Sequence, residues 1–494
     1  MITYNLMDTG TDSLYEHLCK CIKKDIIQGN LMPGEKLPSK RVFASNLGVS
    51  VITVENAYGQ LSDEGYIYSM PKRGFYVSDI DMVVARGINM KGISQSADRN
   101  ISGDNYIYGM ESFNEAASSL AKSSYFADFS SNQTDSEIFP FSIWSKTVRS
   151  VLNDNQIQLM INSPCAGILP LRNAIAHYLR DFRGMQVFSH QIIIGAGTEY
   201  LYGLLIQLLG KDLIYGVENP GYHKIGKICK SMDVSYRHVD LDENGVSIHE
   251  LEEKKIDIIH TSPSHHFPTG IVMPVSRRYE LLGWAAKKKQ HYIIEDDYDS
   301  ELRLSGKPFP TLQSIDVSGK VIYMNTFTKT LASTVRISYM VLPEDLAKRF
   351  YSELSFYSCT VSNFEQYTLA QFMENGSFEK HINRLRNYYQ NKRDAILKEL
   401  KSGSIGKYIT IQEEEAGVHF LMHIQSDCTE AEIVEKAKAG GVKLDPLSRY
   451  YIKNTEKHEQ NGQENPYENT YVMNYSSVNM ENIKKVVQVL SQLG

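Results

Sequence analysis

The sequence predicts an α/β protein with a small separate head, and three observations predict it. Residues from about 125 onward alternate short apolar strands with amphipathic helices. Residues 11 to 77 read instead as helices followed by a hairpin. Between the two lies "DIDMVVARGINMKGISQSADRNISGDNYIYGMESFNEAASSLAKSS", rich in Ser, Gly and Asn and with little sustained period. A chain of 494 residues accommodates this division, since single domains run to about 50–250 residues. The expected boundaries are a head at 1–78, a linker at 79–124 that turns helical around 112–122, and a body at 125–494. A polar run, "IKNTEKHEQNGQENPYEN", is expected to be an exposed insertion.

Composition narrows the function classes. Hydrophobic content of 42% with 22% charged residues suits a globular chain in water, and no apolar run approaches the ~20 residues of a membrane span. The opening "MITYNLMDTGTDSLYEHLCK" has neither the basic region nor the apolar core of a secretory signal, so a cytoplasmic protein is expected. Six cysteines without a C-x-x-C pair suggest neither a disulfide framework nor a zinc site, and no metal is expected.

The head parses from its caps. Ser39 is placed to cap a helix running to Leu47, Gly48 to end it, and Ser50 to cap the next. In that second helix Val54, Ala57, Tyr58 and Leu61 recur at helical spacing, which buries one face and leaves Val51, Ile52 and Thr53 outward. "YIYSMPKRGFYV" then alternates around a Pro-Lys-Arg-Gly turn. Two helices joined by a short turn, with a basic hairpin tip, form a winged helix-turn-helix suited to a DNA major groove. A small helical dimerisation module shares the same pattern. Residues 1–77 hold eight basic and eight acidic side chains, so general attraction to phosphates is absent and local groups must act. The expected DNA-contacting set is Ser39, Lys40, Arg41, Ser50, Thr53, Lys72, Arg73 and Gly74, in a protein that reads two half-sites as a dimer.

The body carries a lysine in an unusual setting. Lys329 follows the apolar strand "VIYMN" and sits among Thr326, Thr328, Thr330 and Ser333, with Arg336 seven positions on. An amine for an imine, hydroxyl donors and a fixed cation are what a phosphate-bearing aldehyde needs. A second strand, "HYIIEDDYDSELR", ends in carboxylates that suit a protonated pyridine nitrogen. "QIIIGAGTEYLYGLLIQLL" reads strand, glycine turn, helix, which aims the N–H groups of Gly197, Thr198 and Glu199 at a phosphate. "VENPGYHK" places Tyr222 past a further strand, where a ring can stack on a flat cofactor or simply fill a core. Together these pieces converge on pyridoxal 5'-phosphate.

Two resemblances follow. The motifs L-P-S-x-R at Leu37–Arg41, L-G-V-S at Leu47–Ser50, A-Y-x-x-L at Ala57–Leu61 and E-G-Y at Glu64–Tyr66 make the head similar to the GntR family of winged helix-turn-helix regulators. The body resembles the aspartate aminotransferase family, the PLP-dependent transferases of fold type I. That resemblance implies a mostly parallel sheet with flanking helices, a smaller C-terminal α+β subdomain and a homodimer. It also implies Lys329 as the Schiff-base residue, Asp296 on the pyridine nitrogen, Tyr298 on the ring hydroxyl and Tyr222 stacked on the ring. Gly197, Thr198, Thr326, Thr328 and Arg336 would hold the phosphate, and the helix after "CAGILPLRN" would lead toward it. A GntR head on an aminotransferase-like body resembles the MocR-type regulators.

Four positions depart from these families. Val51 stands where an arginine commonly follows G-V-S, Asn162 where a tyrosine reaches the partner's phosphate, and Phe267 where aminotransferases place an asparagine before P-T-G. Val472 stands where an arginine clamps the substrate carboxylate, with Arg449 a candidate substitute for effector binding. The reading that results is a transcription regulator binding double-stranded DNA and sensing an amine, or pyridoxal phosphate itself, through its body. The alternatives are a working aminotransferase with a DNA-binding head, and a plain DNA-binding protein whose body only dimerises.

Overall fold

The computed structural model describes residue 4, residues 13–79 and residues 125–493, apart from 132, 136, 305–308, 414–416 and 453–466. The expected linker and its helix, and most of the polar insertion, lie outside the described residues. The chain divides into two compact units, Met1–Lys122 and Ser123–Gly494.

The first unit contains α1 (Leu14–Gln28), α2 (Lys40–Leu47), α3 (Val51–Asp63) and a hairpin of β1 (Ile67–Met70) and β2 (Gly74–Val77). Ser39 Oγ accepts the Val42 amide and Ser50 Oγ the Thr53 amide, so both expected caps form, and Gly48 closes α2 in the left-handed region at φ 66°. Apolar residues at helical spacing on α1 (Leu18, Ile22, Ile26) and α3 (Val54, Ala57, Tyr58, Leu61) meet Phe43 in one core. Tyr58 buries its ring there and donates its hydroxyl to the Pro38 carbonyl at 2.9 Å, which satisfies the polar end of an otherwise apolar side chain. The hairpin pairs Ile67 with Val77 and Met70 with Gly74, leaving Lys72 and Arg73 at its tip.

The second unit is built on an eight-stranded sheet. Its strands are β4 (Ile192–Gly195), β5 (Tyr215–Asn219), β6 (Tyr236–Asp242), β7 (Gly245–Val246), β8 (Ile258–Thr261), β9 (Tyr292–Asp296), β10 (Val321–Thr326) and β11 (Ser338–Val341). Their spatial order is β4-β11-β10-β9-β8-β5-β6-β7. Strands β10, β9, β8, β5 and β6 are parallel, whereas β11 runs against β10 and β4, and β7 against β6. Near-continuous apolar strands such as Ile192-Ile193-Ile194 are what a sheet covered on both faces requires. Ile192 and Ile194 pack toward the helices Leu169–Arg183 and Asn363–Glu374, and Ile193 packs toward Thr198–Leu209 and Glu344–Glu353.

A smaller lobe follows, with an antiparallel sheet of β12 (Ile409–Gln412), β13 (His419–Ile424) and β15 (Thr470–Asn474). It packs against the helices Ser377–Ser402, Glu430–Ala439 and Ile483–Leu490. The sequence places this lobe wholly at the C-terminus; the structure adds a strand from the start of the body. Residues Ala127–Asp128 (β3) pair in parallel with Val442–Lys443 (β14), and Ala127 and Phe129 are buried in the small lobe's core. A pairing across more than three hundred residues leaves no local pattern to read.

Candidate cofactor and effector site

The C-terminal ends of β8, β9 and β10, the start of the helix Thr198–Leu209 and parts of the small lobe enclose a cavity of about 350 Å³. This is where a parallel α/β sheet binds ligands. Lys329 lies in the turn after β10, lines the cavity and is only 8% exposed. Burial pushes its amine down to about 8, against the pull of Asp299. An amine so shifted is in part a neutral nucleophile near physiological pH.

Five acids stand at the end of β9, and packing decides among them. Glu295 accepts the Leu312 and Gln313 amides at 2.8 and 2.9 Å. Asp297 faces a buried ion pair with Arg183 at 2.7 Å and receives the Tyr323 hydroxyl at 2.7 Å. Asp299 meets His265 Nδ1 at 2.8 Å, and Glu301 is close to Asn325 and Tyr178. Asp296, pointing the other way from its strand neighbours, lines the cavity. Its Oδ2 lies 3.5 Å from His260 Nε2, while its buried Oδ1 has no hydrogen-bond partner.

Tyr298 also lines the cavity, with its hydroxyl 3.3 Å from His265 Nδ1. Burial and the neighbouring Asp299 hold its hydroxyl well above the usual phenol range. Tyr222 caps the helix His223–Ser231 and leaves 44% of its surface exposed toward the opening.

The cradle is made of hydroxyls and one guanidinium. Thr326 and Thr328 hydroxyls are 2.7 Å apart, and Ser338 donates to Thr326 at 2.9 Å. Arg336 adopts a left-handed φ of 54°, uncommon for a side chain of its size. Its Nη2 reaches the Ala196 carbonyl at 3.3 Å and Glu199 Oε2 at 3.2 Å. Lys224 pairs with the other oxygen of Glu199. Glycine at 197 is favoured by its backbone, which sits at φ 98°, a region that side chains rarely adopt; a Cβ there would also lie 2.5 Å from the movable ends of Arg336 and Glu199. The Gly197 amide donates to the Gly195 carbonyl at 2.9 Å, so in this structure it is engaged within the turn, while Thr198 and Glu199 stand in the first turn of the helix, where amides have no intrahelical partner.

The departures have physical counterparts. Val472 is 1% exposed and packs with Leu421 and Leu447 in an apolar cluster, leaving no guanidinium at that wall. Arg449 does not take its place: its side chain is 71% exposed, pairs with Asp445 at 3.7 Å and is not among the cavity-lining residues. Phe267 meets the rings of Tyr222, Tyr450 and His419. Asn162 is exposed on the single chain. His260, His265, Lys224, Ser338, His419, Asp445 and Tyr450 escaped sequence reasoning. His260 and His265, two of the three histidines of "HTSPSHHF", stand at or just past a buried strand end and offered a signal, whereas the small-lobe residues offered none.

In the head, the expected contact residues divide by role. Arg41, Lys72, Arg73 and Gly74 are exposed, with Lys72 at φ 61° in the turn. Val51 and Ile52 open α3 as exposed apolar residues. Ser39 and Ser50 are engaged as caps, and Ser50 Oγ also lies 2.8 Å from Thr53 Oγ1. Lys40 is held by Glu55 at 2.7 Å, which tempers its charge.

Comparison with known proteins agrees with both units. Residues 127–454 match the aminotransferase class I and II family, and residues 14–77 match the bacterial regulatory proteins of the gntR family. The chain is 36% identical to the HTH-type transcriptional regulator YdeL of Bacillus subtilis over 97% of this chain and 96% of that one. It is 29% identical to the probable rhizopine catabolism regulatory protein MocR of Rhizobium meliloti, covering 90% and 89% of the two. The structure superposes on Pyrococcus horikoshii kynurenine aminotransferase, solved in complex with PMP, with a TM-score of 0.64 at 23% identity over 83% of this chain and 97% of that one. The chain belongs to the class I and II aminotransferase family and, with its gntR-family head, to the MocR-type regulators.

Proposed function

We propose that this protein is a DNA-binding transcription regulator that carries pyridoxal 5'-phosphate on Lys329 and senses a small amine, or the cofactor itself, through its body. The observation that carries the reading is one cavity in which a buried lysine with a lowered pKa, an unpartnered Asp296 oxygen and the Thr326–Thr328–Arg336 cradle converge. These residues fit the cofactor. Asp296 suits a ring N–H, the hydroxyls and guanidinium suit a phosphate, and Tyr222 offers an aromatic face. When bound, the cofactor supplies an aldehyde carbon that reacts with primary amines. Tyr298 and His265 then position the ring's hydroxyl side, and the small lobe limits entry of water.

The apolar wall at Val472 argues against turnover of ordinary amino acids, since no cation there fixes an α-carboxylate. Binding alone moves an equilibrium only if the ligand prefers one conformation of the protein, so the regulator must exist in two states that the cavity distinguishes. A symmetric dimer presenting two heads to two half-sites completes the reading. Among the described residues no helix is long and apolar enough to cross a membrane, and a cytoplasmic location suits a DNA-binding role.

The test is the visible spectrum of the purified protein and of Lys329→Ala with added pyridoxal phosphate, beside DNA binding measured with and without amines. A cofactor band lost in the variant, together with DNA affinity that changes on adding an amine, supports the proposal. A wild type that stays colourless with DNA binding intact would leave the body as a dimerisation scaffold.

A further inference from the structure

Apart from Lys329, the cavity's lysine and arginine side chains gather at one place. Lys224 and Arg336 both lie on Glu199, beside the phosphate cradle. The small-lobe wall is of the opposite character. Asp445 lines the cavity, is 4% exposed and accepts the Tyr450 hydroxyl at 2.5 Å through Oδ2. Its Oδ1 is buried without a hydrogen-bond partner. Arg449 stands 3.7 Å from that oxygen on a largely exposed side chain, and burial outweighs its pull and that of Lys443, raising the carboxyl above the usual range. Tyr450, which donates to this carboxylate, meets the Phe267 ring at right angles with centroids 5.2 Å apart at 88°, and Phe267 in turn meets Tyr222 at 6.2 Å and 86°. All three rings line the same cavity as Lys329.

A buried acceptor in a cavity that aromatic rings also line is a seat for a cation. Ring quadrupoles attract ammonium and guanidinium groups, the more so when these are desolvated, and a charge-assisted hydrogen bond to a carboxylate is roughly twice as strong as a neutral one. A ligand carboxylate placed there would meet Asp445 and the Val472 cluster, losing its hydration without gaining a partner.

We infer that the sensed molecule carries, besides the primary amine that reaches Lys329, a second cationic nitrogen seated against Asp445 among Phe267, Tyr450 and Tyr222. The ligand class is a diamine or an amino-guanidine, not an α-amino acid. The inference deepens the proposed function and rests on it.

The test compares three probes of equal chain length, 1,5-diaminopentane, 1-aminopentane and 5-aminopentanoate, titrated into the protein loaded with pyridoxal phosphate while the visible band is followed. The diamine is expected to half-saturate the shift at least about tenfold below the monoamine, the worth of one such contact, with the amino acid weakest. In Asp445→Asn the diamine advantage disappears while the response to 1-aminopentane is retained, which also reports an intact fold. Equal titrations by all three probes in the wild type, or preference for 5-aminopentanoate, overturn the inference while leaving the cofactor reading standing. A diamine advantage that survives Asp445→Asn overturns the assignment to Asp445. No visible band with pyridoxal phosphate sinks the cofactor reading and the inference with it.

Discussion

In the head, Ser39 and Ser50 turn their hydroxyls onto nearby backbone amides, and Tyr58 finds the Pro38 carbonyl. In the body, Asp296 Oδ1, His260 and Asp445 Oδ1 are buried without hydrogen-bond partners. Buried polar atoms are nearly always satisfied in folded proteins, so the contrast separates two ways of working. The head presents a finished surface whose exposed groups act on something outside it. The body encloses a cavity whose wall carries unsatisfied polar atoms.

The largest effect that would sharpen this contrast is at Lys329. In the fold its amine is pushed down to about 8 from 10.5. The cost of burying the charged form is therefore fully present below pH 8 and fades as pH rises toward 10.5. Lys329→Met is expected to abolish the cofactor band and yet to stabilise the cofactor-free protein at pH 7 by roughly 3 kcal/mol, with the gap closing above pH 10. Chemical denaturation at both pH values measures it, and a variant less stable than wild type at pH 7 would break the comparison. Next, Arg336→Ala is expected to weaken pyridoxal phosphate binding by about ten- to a hundredfold, the worth of a charged hydrogen bond. A loss under threefold in an absorbance titration would place the phosphate elsewhere.

The wing supplies the corresponding test for the head. Replacing Lys72 and Arg73 together by alanine is expected to weaken binding to a random-sequence duplex and to reduce the slope of log affinity against log salt by about 2. Fluorescence anisotropy at several salt concentrations reads both numbers, and an unchanged slope would remove the wing from the DNA. The smallest effect is at Ser50. Ser50→Ala should cost about 1 kcal/mol of stability as a lost cap, whereas Ser50→Asp should keep the cap. If Ser50→Asp keeps thermal stability but loses DNA affinity, the cap also lies against phosphate.

The head was readable because its signals are local. Ser39, Gly48 and Ser50 act on residues within one helical turn, so periodicity and capping suffice. Even there the Lys40–Glu55 pair, which joins two helices, has no sequence signature. In the body the strand ends pointed to Lys329 and to the acidic cluster, and the resemblance singled out Asp296. That Asp297 serves the core instead depends on Arg183, more than a hundred residues away. The wall formed by Asp445, Tyr450 and His419 comes from another lobe, and no spacing rule connects it to Lys329. Arg449 was chosen because its charge suited the missing clamp; the fold turns that charge outward and leaves its acidic neighbour facing the cavity.

The short strand β3 has a mechanical consequence. The chain that comes from the head enters the body by joining the small lobe: Phe126 bonds to Gly441, Phe129 to Lys443, and the Asn474 amide to the Phe129 carbonyl. The next residues, Phe129 and Ser130, are also part of the cavity wall. The first described residues of the body are thus fastened to the lobe that carries Asp445 and Val472, so this lobe draws its core and its part of the cavity wall from both ends of the body.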